Sequence, residues 1–282
     1  MAKSMTKNKN YTYTYNSLAD LIDRVHLKPH VKNAEHVCAL TFKNDKRDGY
    51  TSSGKNWYGI DTDKPSEVVN AIKNGYTQGL ESIRKASRDF DIEPTKSVRR
   101  RRTRGDQGDD LDMARVYSGN IDTAWTRTQK AYDGNAYGKN ITIAVDIGGN
   151  CGTGADAMKW RGAYAAALAD KYAEAGYSVE LFAYAGVSNI CSHKDSGAQF
   201  IVKLLDSSET YDIEKLANTI SFPGFFRTLI FEAILTVPET VAQSLGKHNP
   251  EIPKELDGAI VIKDIWSLED VKKHKLTMEV MK

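Results

Sequence analysis

In the second half of the chain, apolar positions fall into short β-branched runs separated by helical stretches. Ile141-Thr142-Ile143-Ala144-Val145-Asp146 reads as a strand buried on both faces. A glycine-rich turn over 147–154 follows. The alanine-rich stretch 155–175 carries Trp160, Tyr164, Ala167, Leu168 and Tyr172 along one side and predicts a long helix. Val179 to Tyr184 and Phe200 to Leu205 are the next strands. Asp212 to Ile220 predicts a short helix, and residues 224–245 a longer one. Ala259 to Ile262 is another buried strand, and a short helix near 267–274 and a last strand near 276–280 close the chain. This alternation predicts an α/β fold with a mostly parallel sheet and helices on both faces.

The first half is less regular. Tyr11, Tyr13 and Tyr15 alternate with polar residues, as a short strand or a packed aromatic arm would. A helix begins at Ser17-Leu18, with Asn16 or Ser17 as its N-cap. Val37 to Phe42 reads as a strand, the polar residues 43–56 as a loop, and Trp57 to Ile60 as a second strand. Pro65 suits the first turn of a helix whose apolar positions are Val68, Val69, Ile72, Leu80 and Ile83, with interruptions at Gly75 and Gly79. Residues 1–94 are thus expected to form a smaller α+β region.

Composition changes this picture in one place. The 282 residues are 40% hydrophobic and 27% charged, with a net charge of +2. Those values exclude a disordered chain, a fibre and a disulfide miniprotein, and they argue against a surface that is basic throughout. The sum hides a local contrast. Residues 95–112 read TKSVRRRRTRGDQGDDLD, in which Lys96, Arg99, Arg100, Arg101, Arg102 and Arg104 precede Asp106, Asp109, Asp110 and Asp112. Opposed charge blocks with glycines predict an exposed linker over 95–119, with the α/β domain at 120–282. The basic block is also a candidate grip for nucleic-acid phosphates. Three cysteines at long spacing point to a reducing compartment. No apolar stretch is long enough for a membrane span, and Phe222 to Val237, broken by Pro223, Gly224, Arg227 and Glu232, reads as a buried helix of a soluble protein.

The turn after Asp146, VDIGGNCGTGAD, is the best candidate site, because chemistry in open α/β sheets gathers at the carboxyl ends of strands. Gly149 and Gly154 have the spacing of Walker glycines, but Ala155 and Asp156 stand where lysine and a hydroxyl residue belong. No dinucleotide fingerprint is present. Asp146-Ile147-Gly148-Gly149 resembles the phosphate loop of actin-like and sugar kinases, but a long helix follows instead of a hairpin. The turn is most similar to the metal loop of von Willebrand factor A-like domains. That resemblance implies oxygen ligands for Mg2+ from Asp146, Asn150, Thr228 and Asp264, with Gly148 and Asn150 in place of two serines. Loss of one hydroxyl at Gly148 implies a degenerate loop that binds the ion weakly or not at all. His26, His30, His36 and Cys38 are spaced too loosely for zinc, and Cys191-Ser192-His193 lacks an orienting third group. Trp57, Trp125 and Trp266 read as core or interface anchors.

The chain as a whole resembles an uncharacterised family of tailed-phage proteins. The pieces that carry the resemblance are Tyr15-Asn16-Ser17-Leu18-Ala19-Asp20-Leu21-Ile22, Trp57-Tyr58-Gly59, Gly75-Tyr76-Thr77-Gln78-Gly79-Leu80, Gly108 to Gly119, Arg161-Gly162-Ala163 and Ala175 to Leu181. The resemblance implies a phage-encoded protein of the infected host cytoplasm and no particular activity. The von Willebrand factor A-like resemblance implies a non-enzymatic, protein-binding adaptor whose partner is an AAA ATPase or another phage protein. The alternative is nucleic-acid binding through Arg99 to Arg104 in phage DNA metabolism or transcription.

Overall fold

The computed structural model describes residues 10–27, 54–62, 64–88, 99–105, 110–131, 140–150, 152–175, 177–188, 197–209, 211–235 and 247–280. Nine strands are present among them: β1 (Asn10–Tyr15), β2 (Arg99–Gly105), β3 (Asp110–Leu111), β4 (Trp125–Ala131), β5 (Asn140–Asp146), β6 (Ser178–Ser188), β7 (Gly197–Leu205), β8 (Lys247–Asn249) and β9 (Ile260–Ile262). The helices are α1 (Leu18–Leu27), α2 (Lys55–Tyr58), α3 (Pro65–Asn74), α4 (Thr77–Ser87), α5 (Met113–Tyr117), α6 (Ala155–Glu174), α7 (Ile213–Ala217), α8 (Pro223–Phe225), α9 (Phe231–Leu235) and α10 (Leu268–Val280). A π-helical turn, Phe226–Ile230, joins α8 to α9.

The main sheet runs β1-β7-β6-β5-β9, with β8 added to β6. β1/β7, β5/β6 and β5/β9 are parallel, whereas β6/β7 and β6/β8 are antiparallel. The sheet is therefore mixed and mostly parallel, as the strand–helix rhythm predicts. The tyrosine alternation at the N-terminus is a strand, with Tyr13 stacked on Phe200 of β7. Ser17 caps α1, accepting a bond from the Asp20 N–H at 3.0 Å, while the Asp20 carboxylate accepts from the Asn16 N–H.

One apolar core joins both halves of the chain. Leu21 of α1, Val68 and Ile72 of α3 and Ile83 of α4 pack in the same cluster as Ile143, Val145, Tyr164, Leu181 and Phe200. The N-terminal region thus shares its core with the α/β domain. Among the described residues, the helices other than α5 contribute to this one cluster, on one face of the sheet. The opposite face holds, among the described residues, a small group around Ala144, Tyr184, Ile201 and Leu256. Within the described residues this departs from the expectation of helices on both faces. β7 returns antiparallel beside β6, so that connection needs no crossover helix on the second face.

Three further expectations change. Trp57 and Tyr58 lie in α2, not in a strand; both are buried, as consecutive residues of an edge strand would not be, and Gly59 ends the turn at φ 91°. Residues 276–280 continue α10 and form no strand, since no glycine or proline interrupts the helix there. Gly75, at φ 135°, separates α3 from α4, but Gly79 lies inside α4, where a Cβ would press on the Ala217 carbonyl at 2.5 Å. The strand expected at Val37 to Phe42 lies outside the described residues, as do His30, His36, Cys38, Cys151, Cys191 and His193.

The charged block is not a structureless linker. Arg99–Gly105 forms β2, paired antiparallel with β4, and β3 pairs with the base of β4. Among the described residues, the resulting three-stranded sheet, ordered β2-β4-β3, contributes none to either apolar cluster. Opposed charge blocks cannot build a core, but β2 needs none: the inner edge of its backbone pairs with β4. Among the described residues, no helix is long and apolar enough to cross a membrane.

Candidate functional site

Asp146 ends β5, and its side chain is 1% exposed. Its carboxylate accepts from the Gly148 N–H at 2.8 Å. Nη1 of Arg161, on α6, lies 3.0 Å from Oδ2. His248 Nε2, from β8, lies 2.9 and 3.1 Å from the two oxygens, so the imidazole donates its Nε2 proton to them. Arg161 also donates to the Gly148 carbonyl, and its guanidinium lies 4.1 Å from the centre of the Trp266 ring. Burial pulls the Arg161 pKa down, and the nearby Asp146, Tyr184 and Asp264 push it back up. Tyr184, beside Asp146 on β6, is raised mainly by burial, and its hydroxyl finds no hydrogen-bond partner among the described residues.

The sheet explains how His248 reaches this point. Gly186, Val187 and Ser188 of β6 pair with β7 along one edge. The other edge belongs to β5 as far as Asp146, and beyond it to β8, with Val187 opposite His248. β8 therefore occupies the lane that β5 vacates and closes the end of that strand. Gly186 permits the approach, because a Cβ there would meet the Asn249 carbonyl at 2.3 Å. A Cβ on Gly148 would lie 2.3 Å from the His248 ring. The room a serine would need at position 148 is thus filled by imidazole.

The four candidate metal ligands meet different partners. Asp146 faces a guanidinium and an imidazole. Asp264 is exposed and adds its charge near Arg161 and Tyr184. Thr228 lies buried in the π-helical turn and donates its hydroxyl to the Gly224 carbonyl at 2.6 Å. Asn150 is exposed, and its carbonyl accepts from the Thr153 N–H. These residues do not fit Mg2+, which demands oxygen ligands around an open octahedron. Arg161 and His248 escaped sequence reasoning. A lone arginine within the apolar WRGAYAAALA stretch is a signal in hindsight; His248 offers none, since a register across the sheet brings it to Asp146.

A second buried arginine is treated in the same way. Arg227 is 1% exposed, lies 3.8 Å from the Trp57 ring centre, and donates to the carbonyls of Trp57 and Thr153. Trp57 and Trp266 thus act as the anchors expected of them.

The small sheet uses its cations differently. The register of β2 on β4 runs from Arg99↔Ala131 to Gly105↔Trp125. Seven of the fourteen paired positions are cationic: Arg99, Arg100, Arg101, Arg102, Arg104, Arg127 and Lys130. Neither strand contains a carboxylate. Of the block's acids, Asp110 and Asp112 lie at the base, where Asp112 caps α5 and lies 3.9 Å from both Arg104 and Arg115. Exposed apolar residues sit beside that base: Met113, Tyr117 and Ile121, with Tyr117 83% exposed. Of the predicted phosphate-contacting residues, Arg99, Arg100, Arg101, Arg102 and Arg104 stand together on β2, while Lys96 lies outside the described residues.

Fold and sites together define an α/β protein with a closed, internally neutralised strand end and a separate basic ribbon. The chain belongs to the family described as Domain of unknown function (DUF7192), whose model matches residues 3–282. No curated protein matches it, and no solved structure does.

Proposed function

We propose that this protein is a non-enzymatic binding protein that holds nucleic acid through the β2–β4 ribbon. The observation that carries this reading is the run of seven cations on two paired strands without a carboxylate between them. Like charges crowd unfavourably on adjacent strands, and a polyanion relieves that repulsion while releasing its condensed counterions. The closed strand end supports a scaffold role for the body, because its acid, base and guanidinium are spent on one another. Mobility-shift assays with single- and double-stranded oligonucleotides at low salt test the reading. Retarded migration is expected; unchanged mobility with both overturns it.

The order β7-β6-β5-β9, with an aspartate ending the central β5, favours a second reading, a von Willebrand factor A-like adaptor that presents loops at the strand ends to a protein such as an AAA ATPase or another phage protein. In that case captured partners survive nuclease treatment, and Asp146→Ala tests whether the loop is the contact.

A further inference from the structure

We infer that the ligand of the ribbon is double-stranded DNA, with the ribbon seated in the major groove; this rests on the nucleic-acid reading above. β3 pairs only with Thr126 and Trp125, so the pairs from Arg99↔Ala131 to Thr103↔Arg127 form a ribbon of two strands with no third among the described residues. At about 3.4 Å per residue and about 4.8 Å between strands, this free part is roughly 14 Å long and two backbones wide. The major groove of B-form DNA is about 12 Å wide and about 8.5 Å deep and admits a two-stranded ribbon.

The register distinguishes a groove from a single strand. Residues alternate between the two faces of a strand, and residues opposite one another in the pair share a face. One face therefore holds positions Arg100, Arg102, Arg104 and Lys130, and the other holds Arg99, Arg101 and Arg127. A single strand offers one line of phosphates and is held by one charged face with aromatic platforms for its bases. The free part of the ribbon has no aromatic residue. A groove offers phosphates along both walls, which suits an element cationic on both faces. A-form RNA duplex is excluded by its narrow major groove.

The test uses the full-length chain with a mixed-sequence DNA duplex, the same sequence as single-stranded DNA, and as RNA duplex, over a range of salt. The DNA duplex is expected to bind at least roughly tenfold more tightly than the others. Arg100→Gln/Arg102→Gln alters one face and Arg99→Gln/Arg101→Gln the other. Each pair is expected to weaken duplex binding roughly tenfold and to lower the salt slope by about 2, with an unchanged Tm. The major-groove ligand methyl green is expected to compete, and the minor-groove ligand netropsin to leave binding intact. Equal or tighter binding of single strands or RNA duplex, a silent face, or competition by netropsin alone overturns the duplex inference while leaving nucleic-acid binding standing. Failure to bind any of the three overturns both.

Discussion

Arginine plays opposite parts in the two regions of this molecule. In the sheet body, Arg161 and Arg227 are 1% exposed, each lies over a tryptophan ring, and each donates to backbone carbonyls; Arg161 also faces Asp146. On the ribbon, five arginines stand within the seven residues of β2, opposite Arg127 and Lys130, and no carboxylate shares either strand. A buried cation must be matched by fixed acceptors, or its desolvation unfolds the protein. A cation that is not buried needs no such match. The contrast separates the part of the chain that holds the fold from the part proposed above to meet another molecule.

The sharpest way to break this comparison is Asp146→Ala. It leaves the Arg161 guanidinium buried without its counter-ion, a loss of about 3–5 kcal/mol, which lowers Tm by roughly 10 °C. Removing both charges, as Asp146→Leu with Arg161→Met, is expected to recover most of that loss. An unchanged melting temperature for Asp146→Ala would show that the pair does not support the body. Next in size is Gly148→Ala, whose Cβ must displace the His248 ring, at a cost of about 1–3 kcal/mol. Combining it with His248→Ala should restore part of the stability in chemical denaturation, and failure to do so would place the strain elsewhere.

A smaller effect concerns pH. Lys203 bridges Glu180 and Asp206, at 2.9 and 2.5 Å. The Lys203 hydrogen bond and the Ser208 N–H and hydroxyl hold the Asp206 carboxyl below the usual carboxylate range, and the two carboxylates raise Lys203. The Asp206 contribution is therefore complete above its unfolded pKa, about 3.9, and disappears as pH falls through the lower folded value. The Lys203 contribution is complete below about 10.4 and disappears as pH rises through its raised folded value. NMR titration of Asp206 should give a depressed midpoint that returns toward the ordinary value in Lys203→Met. Smaller still, Arg100→Gln/Arg102→Gln should shift Tm by no more than about 2 °C, because substitutions away from an apolar core stay within about 0.5 kcal/mol; a large drop would mean the ribbon belongs to the fold after all. Smallest of all, Mg2+ or Mn2+ should give no thermal stabilisation, since a guanidinium already faces Asp146.

Much of the fold was legible because local pattern and burial agree. The β-branched run before Asp146, the alanine-rich helix after it, Pro65 and the Asp212 cap each announce an element whose local preference matches its place. The site was legible only at Asp146. The aspartate stands where chemistry gathers in sheets of this kind, but what it does depends on partners fifteen and about a hundred residues away, Arg161 and His248. The arginine run misled for a related reason. Its charge forbids a core, which reads as a linker, but a paired strand requires only a neighbour for its backbone, and that neighbour, β4, is not visible from the run itself.

The sequence by itself determined the alternation of strands and helices in the second half, the terminal aspartate of β5, the helical starts at Ser17 and Pro65, and the clustering of cations at Arg99 to Arg104, since each is a property of neighbouring residues. Only the tertiary structure decided that β8 enters the lane beyond β5, that His248 and Arg161 close on Asp146, that the helices of the described core gather on one face, and that the arginines alternate across a ribbon. Those outcomes depend on register and on which edge of a strand is still open, and both are set by backbone hydrogen bonds between segments far apart in the chain.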